Sequence, residues 1–252
     1  MHFSAQAPQK KACLPAGQQC GKSAGMVIVF ANSKGGVGKS TLAVHLAVWL
    51  FDMGHSVALL DADRQRSSSV WLQEAESAIA TRVAWTPEDC VTAVRQLQQD
   101  HAFVIGDGQA SLDDLGRTLL LMADLAVLPV TPSILDVRSV QQATGVLRYA
   151  QELNRGGPEG RLLLNRMRRR DVISREVTAA MPGLGVQLCA AQIRDLQAFR
   201  DAAQQGTVVT RMGRRGENAA ADVKRAFGEL LSDSQHPSSN RQHQNSMGGK
   251  NG

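Results

Sequence analysis

Aromatic residues are scarce in this 252-residue chain, at 4%, and tyrosine occurs once, as Tyr149. A lone tyrosine excludes an enzyme that phosphorylates a cluster of its own tyrosines. No apolar run reaches the ~18 residues that suggest a transmembrane helix. Lys10 and Lys11 are not followed by an apolar stretch, so no secretory signal is expected. The four cysteines, Cys13, Cys20, Cys90 and Cys189, form no C-x-x-C pair, which argues against a zinc or iron–sulfur site. Cys90 and Cys189 lie in apolar-patterned segments and read as small core residues. This cysteine usage fits a reducing cytoplasm. The six histidines are dispersed, and no Ser/His/Asp or Cys/His nucleophile set is evident. There are no internal repeats.

What the chain does have is 43% hydrophobic residues, enough for a buried core, and a length that suits one large domain or two small ones. The net charge of +5 is unevenly placed. Arg166, Arg168, Arg169, Arg170 and Arg175 form one basic block, and Arg211, Arg214, Arg215, Lys224 and Arg225 form another. Such blocks suggest a polyanionic partner, with a solvated basic face as the plain alternative. Residues 1–25 are polar and without periodicity and read as a disordered arm; Met26, directly before the first apolar run, is a candidate start. Residues 233–252 are rich in Ser, Gln, Asn and Gly and read as a disordered tail. Residues 26–232 are expected to be the domain.

Within it, apolar runs alternate with helical patterns. Strands are expected at 26–32, 55–60, 82–85, 102–105, 125–130, 161–165 and 186–190. Helices are expected at 40–53, 67–79, 88–99, 111–122, 133–152, 171–180, 195–204 and 217–232. Leu42, Leu46, Trp49 and Leu50 mark one stripe of the first helix, and Gly54 ends it. Strands apolar throughout predict an α/β fold: a single domain whose mostly parallel sheet has helices on both faces. Ligands of such sheets bind beyond the carboxyl ends of the strands.

The first strand runs into Ser33-Lys34-Gly35-Gly36-Val37-Gly38-Lys39-Ser40-Thr41 and then a helix. Strand, glycine loop with Gly-Lys-Ser, and helix are the phosphate-cradling P-loop arrangement. Glycines let backbone N–H groups face an anion, and the helix N-terminus adds partial positive charge. Lys39 is placed to reach β/γ-phosphates, and the Ser40 hydroxyl to ligate Mg²⁺. Asp61, Asp63 and Asp107 end the second and fourth strands, where a P-loop enzyme keeps its acidic partners for metal and water. Alternation puts Asp61 and Asp63 on one side of their strand axis.

Lys34 through Thr41 resembles the deviant Walker A motif of the ParA/MinD family of dimeric ATPases. Leu60-Asp61-Ala62-Asp63-Arg64-Gln65 is similar to that family's D-x-D-P-Q segment. Val104-Ile105-Gly106-Asp107-Gly108-Gln109-Ala110-Ser111 and Leu128-Pro129-Val130-Thr131-Pro132-Ser133 resemble its short, ParF-like partition branch. The resemblance implies a P-loop ATPase that binds ATP with Mg²⁺ and forms a homodimer on ATP binding. Gly35, Gly36, Val37, Gly38, Lys39, Ser40 and Thr41 would hold the nucleotide, with Asn165 near the adenine. Ser40, Asp61 and Asp107 would organise Mg²⁺. Lys34 would reach the partner's nucleotide in trans, and Asp63 would position the hydrolytic water. Arg64 and Arg66 stand where the family has proline and glycine, which puts the hydrolysis rate and the partner response in question.

The resemblance further implies non-specific DNA binding, cytoplasmic and nucleoid-associated, with a small ParB-like or adaptor protein stimulating hydrolysis during plasmid or chromosome partition. The DNA contacts would come from Arg166, Arg168, Arg169, Arg170, Arg211, Arg214 and Arg215. Operator-specific repression is not expected, because 25 polar residues cannot form a helix-turn-helix domain. Alternatives are a MinD-like membrane-associated ATPase, a carboxysome or organelle positioner, and a P-loop amide synthase related to cobyrinic acid diamide synthase or to dethiobiotin synthetase. The membrane reading needs an amphipathic basic C-terminal helix, and the tail shows no apolar stripe.

Overall fold

The apolar runs become seven parallel strands in a computed structural model that describes residues 24–109, 113–154, 157–168, 175, 179 and 186–233. The strands are β1 Met26–Phe30, β2 Val57–Ala62, β3 Ala80–Val83, β4 Phe103–Gly108, β5 Leu125–Val130, β6 Glu159–Met167 and β7 Gln187–Arg194. Their order across the sheet is β3-β2-β4-β1-β5-β6-β7, and every pairing is parallel. Seven α-helices are described: α1 Lys39–Asp52, α2 Ser67–Ala75, α3 Pro87–Asp100, α4 Asp114–Leu121, α5 Ile134–Leu153, α6 Gln197–Gln204 and α7 Glu217–Asp233. The helix expected at 171–180 lies outside the described residues, apart from residues 175 and 179. So do the arm and the tail, apart from residues 24, 25 and 233.

Strand alternation splits the core in two. Ile28, Phe30, Leu59, Ile105 and Val127 point to one face, where they pack with α1, α7 and residues of α2 and α6. Val27, Val29, Leu60, Val104 and Leu128 point to the other, with α3, α4 and α5. Burial on both faces explains strands that are apolar at every position. The first helix is more deeply set than its stripe implies. Ala43, Val44, Ala47 and Val48 are buried as well, because α2 and α7 cover the side turned away from the sheet.

Several boundaries move, each for a local reason. The strand expected at 82–85 is Ala80–Val83, which leaves Trp85 exposed past the end of an edge strand. The helix at 67–79 stops at Ala75, where Glu76 turns extended. The helix at 88–99 starts at Pro87, because the Thr86 side chain accepts from the Asp89 N–H. The strands at 161–165 and 186–190 lengthen to nine and eight residues. Register shifts mark the β6–β7 pairing, and the Glu229 carboxylate takes the N–H groups of both Ala190 and Ala191.

Candidate functional site

The phosphate-type loop is fastened at both ends. Asn32, fully buried, donates to the Pro129 carbonyl at 2.8 Å and accepts the Lys34 N–H at 3.0 Å. At the far end Gly38 is left-handed, at φ 95°, and a Cβ there would collide with the Asn165 side-chain amide. Only glycine meets both demands. No side chain caps the N-terminus of α1, so its first N–H groups remain available to an anion. The Lys39 ammonium is buried and donates to the Lys34 carbonyl at 3.1 Å. Burial pushes its pKa down, and Asp107 and Asp63 pull it back up. That pairing puts the charge of Lys39 among the strand-end carboxylates.

Register brings those carboxylates together. Asp61 pairs with Asp107 across β2–β4, and Phe30 with Asp107 across β1–β4. Asp61 accepts the Asp63 N–H on one oxygen and the Ser69 N–H on the other, both at 2.9 Å. It therefore shapes the turn into α2. Asp63 lies one residue past the strand, partly exposed, and accepts the Gln65 N–H. Asp107 is fully buried, and neither of its oxygens has a hydrogen-bond partner among the described residues. The Ser68 hydroxyl beside it also has none. Burial pushes the Asp107 carboxyl up to about 7, against the pull of the neighbouring Ser40 and Ser68 hydroxyls.

A buried carboxylate with two unused oxygens beside a serine hydroxyl suits a hydrated divalent cation. No group of three His, Cys, Asp or Glu forms a metal cage among the described residues.

A cavity of about 240 Å³ opens from the loop toward β6, β7 and α6. Gly36, Gly38, Thr41, Asn165, Asp195 and Phe199 are among the residues that line it. Asn165 donates to the Val37 carbonyl at 2.8 Å and accepts the Arg166 N–H, so it ties the loop to β6. Its position against the phosphate loop suits the nucleoside end of a bound nucleotide.

Comparison with known proteins settles the lineage. Residues 28–233 match the model of the CobQ/CobB/MinD/ParA nucleotide binding domain. The chain belongs to this family. A Maintenance of carboxysome distribution protein A from Halothiobacillus neapolitanus is 28% identical over 208 residues, covering 81% of this chain and 95% of the relative. The protein of the same name from Gloeobacter kilaueensis is 30% identical over 208 residues, covering 81% and 93%. Among solved structures, MinD of Aquifex aeolicus superposes with a TM-score of 0.67 at 18% identity, covering 82% of this chain and 97% of that one. A variant of Cyanothece McdA in an ATP complex gives 0.64 at 17%, covering 82% and 98%. At these identities the solved structures establish the fold alone.

Within this CobQ/CobB/MinD/ParA domain the expected basic surface divides. Arg211 donates to Asp52, Glu76 and the Ala75 carbonyl. It clasps α1 to α2, so its charge is already engaged by two carboxylates of the fold. Arg168 is paired with Asp195, and Arg225 with the fully buried Asp222. Arg166 lines the cavity beside the phosphate loop. Arg214, Arg215 and Lys224 are exposed and make no ion pair among the described residues. Arg169 and Arg170 lie outside the described residues.

Asp195 and His45 were not foreseen. Asp195 directly follows β7, but the strand expected from the sequence stops at residue 190, so its place at a strand end is not legible there. Burial raises its pKa, but hydrogen bonds from Arg168 and Arg200 outweigh that and hold it below the usual carboxylate range. His45 is buried between α1, Trp71 of α2 and Phe199 of α6. It contacts the Thr41 carbonyl at 2.7 Å and accepts the Val209 N–H at 3.2 Å. Those partners place its proton on Nδ1, and burial pushes its pKa down to about 4. It is a neutral packing hub behind the loop, and a lone histidine in a helix carries no signal for that.

Proposed function

We propose that the chain is a ParA-type ATPase that dimerises on ATP, binds DNA without sequence preference and positions a cargo, with a partner protein stimulating hydrolysis. The observation that carries the reading is the meeting of Lys39, Asp63 and the unbonded Asp107 at the mouth of the phosphate loop. The loop N–H groups and Lys39 hold the phosphates. Ser40 and Asp107 would hold Mg²⁺, which would supply neutralisation of phosphate charge. Asp63 orients the attacking water. The water oxygen bonds to the γ-phosphorus as the bond to the β-bridging oxygen breaks, releasing ADP and phosphate. Lys34, the second lysine of the loop, acts on the nucleotide of a second copy, as an arginine finger does.

Asp63→Ala is expected to keep ATP-dependent dimers and to lose turnover by about 100-fold or more. Wild-type turnover in a phosphate-release assay would remove Asp63 from its role.

The DNA part rests on Arg214 and Arg215, exposed in the turn before α7. Arg214→Ala combined with Arg215→Ala is expected to weaken ATP-dependent retention on unrelated duplexes equally. The salt slope of binding should fall by about 2 per protomer, about 4 for a dimer that engages DNA with both copies. Unchanged retention at two salt concentrations, or flotation with liposomes in place of DNA retention, would overturn this part. A second reading of the cargo, a carboxysome or similar protein organelle, is favoured by similarity that spans 95% and 93% of two carboxysome-distribution proteins.

A further inference from the structure

Arg166 follows Asn165 at the carboxyl end of β6 and holds a left-handed backbone, at φ 57°. Among the described residues only Arg66 shares this conformation without being glycine. A non-glycine side chain kept there marks a position the surrounding structure dictates. The backbone is dictated here by Asn165, whose side-chain oxygen accepts the Arg166 N–H at 3.0 Å. The result turns the side chain away from the strand and toward the phosphate loop. Its NH1 donates to the Gly36 carbonyl at 3.2 Å. Its Nε lies 3.9 Å from Asp195.

Asp195 does not need this arginine. Arg168 donates twice to one of its oxygens, at 3.1 and 2.9 Å, and Arg200 donates to the other at 3.1 Å. Two guanidinium groups already exceed the single negative charge. Arg166 is thus a surplus cation, half exposed, and its NH2 donors have no acceptor among the described residues. It stands at the junction between the loop that takes phosphates and the cavity that takes a nucleoside. A nucleotide held by the loop with its nucleoside in the cavity would pass beside it.

We propose that Arg166 is a nucleotide-binding residue, bridging the phosphate loop and the nucleoside cavity, and is not part of the DNA surface. This rests on the reading of the site as a nucleotide site. The left-handed backbone and the Gly36 contact preorganise the guanidinium, so little side-chain entropy is lost when an anionic nucleotide arrives. Arg66 has no such contact and ends its own loop instead.

Arg166→Gly tests the proposal, because glycine accepts φ 57° and the backbone is retained. Arg166→Asn, which also tolerates this conformation, serves as a second variant. Fluorescent ATP and ADP analogues would be titrated against full-length wild type and both variants, with thermal melts alongside. Affinity for both nucleotides is expected to fall about tenfold or more, the loss of charge-assisted hydrogen bonds, with melting temperatures no lower than wild type for glycine. At saturating nucleotide, DNA retention is expected to be unchanged. Wild-type nucleotide affinity in both variants would overturn the proposal alone. Full nucleotide affinity with lost DNA retention would return Arg166 to the DNA surface. Failure of the wild type to bind either nucleotide would overturn the nucleotide reading and this proposal with it.

Discussion

Lys39→Ala is expected to lower nucleotide affinity at least about 100-fold. The lysine supplies charge-assisted hydrogen bonds worth about 1.5–3 kcal/mol each, in a site too buried for water to replace them. Its ammonium sits in the loop on the Lys34 carbonyl, with Asp107 and Asp63 as its charged neighbours. Losing it removes attraction for phosphate and leaves two carboxylates to repel an incoming anion. Both effects act in the same direction. Calorimetric titration with ATP and Mg²⁺ measures the result. An affinity within threefold of wild type would mean that the loop holds phosphate without Lys39. Lys39→Arg is expected to recover only part of the loss, because the planar fork is larger than the ammonium and directs its donors differently.

Asp107→Asn is expected to separate stability from activity. In the nucleotide-free protein, burial raises the Asp107 carboxyl to about 7 from an ordinary 3.8. A carboxyl with a raised folded pKa binds its proton more tightly in the folded state. Its stabilising effect is therefore full below the unfolded pKa. It is lost as pH rises from about 4 through about 7, an amount of about 4 kcal/mol. Asparagine stays neutral throughout, at the cost of a buried amide with few partners, about 1–3 kcal/mol. The variant should accordingly match or fall below wild type at pH 5 and exceed it by about 1–3 kcal/mol at pH 8. His45 tilts the acid side of both proteins alike. Its lowered pKa means that stability falls as pH drops from about 6.5 to about 4, and this cancels in the difference. Denaturant melts without nucleotide at the two pH values measure the difference. The same variant should lose the extra stability that Mg²⁺ confers on the nucleotide-bound wild type. A variant less stable than wild type at pH 8 would show that Asp107 is not a strained, cation-awaiting carboxylate.

The glycine loop, its lysines and the strand-end aspartates could be read in the sequence because each depends on local chain geometry. A left-handed turn requires glycine at Gly38 wherever the chain goes next. An apolar run ending in Asp places a carboxylate at a sheet edge once the sheet is parallel. The cavity was less legible. Its near side is the phosphate loop and α1, already named from the sequence, but its far wall is assembled from β6, β7 and α6, distant in the chain, and there only Asn165 was picked out as a nucleotide contact. The basic blocks were misleading in part. Arg211 and Arg168 are charged in any sequence reading, but their acceptors, Asp52, Glu76 and Asp195, are 27 to 159 residues away. Nothing local says that a given arginine is already paired.

The sequence by itself determined the α/β class, the anion-binding loop and the identities of the three aspartates, since periodicity, glycine and residue type act over a few residues. Tertiary structure decided how those groups divide their work. Strand register made Asp61 a support for the turn and left Asp107 buried with both oxygens unused. Packing of β6 against the loop turned Arg166 from a member of a charge run into a group on Gly36. Which charges stay free, and which are consumed, depends on burial and on partners brought from afar. Those are properties of the folded chain alone.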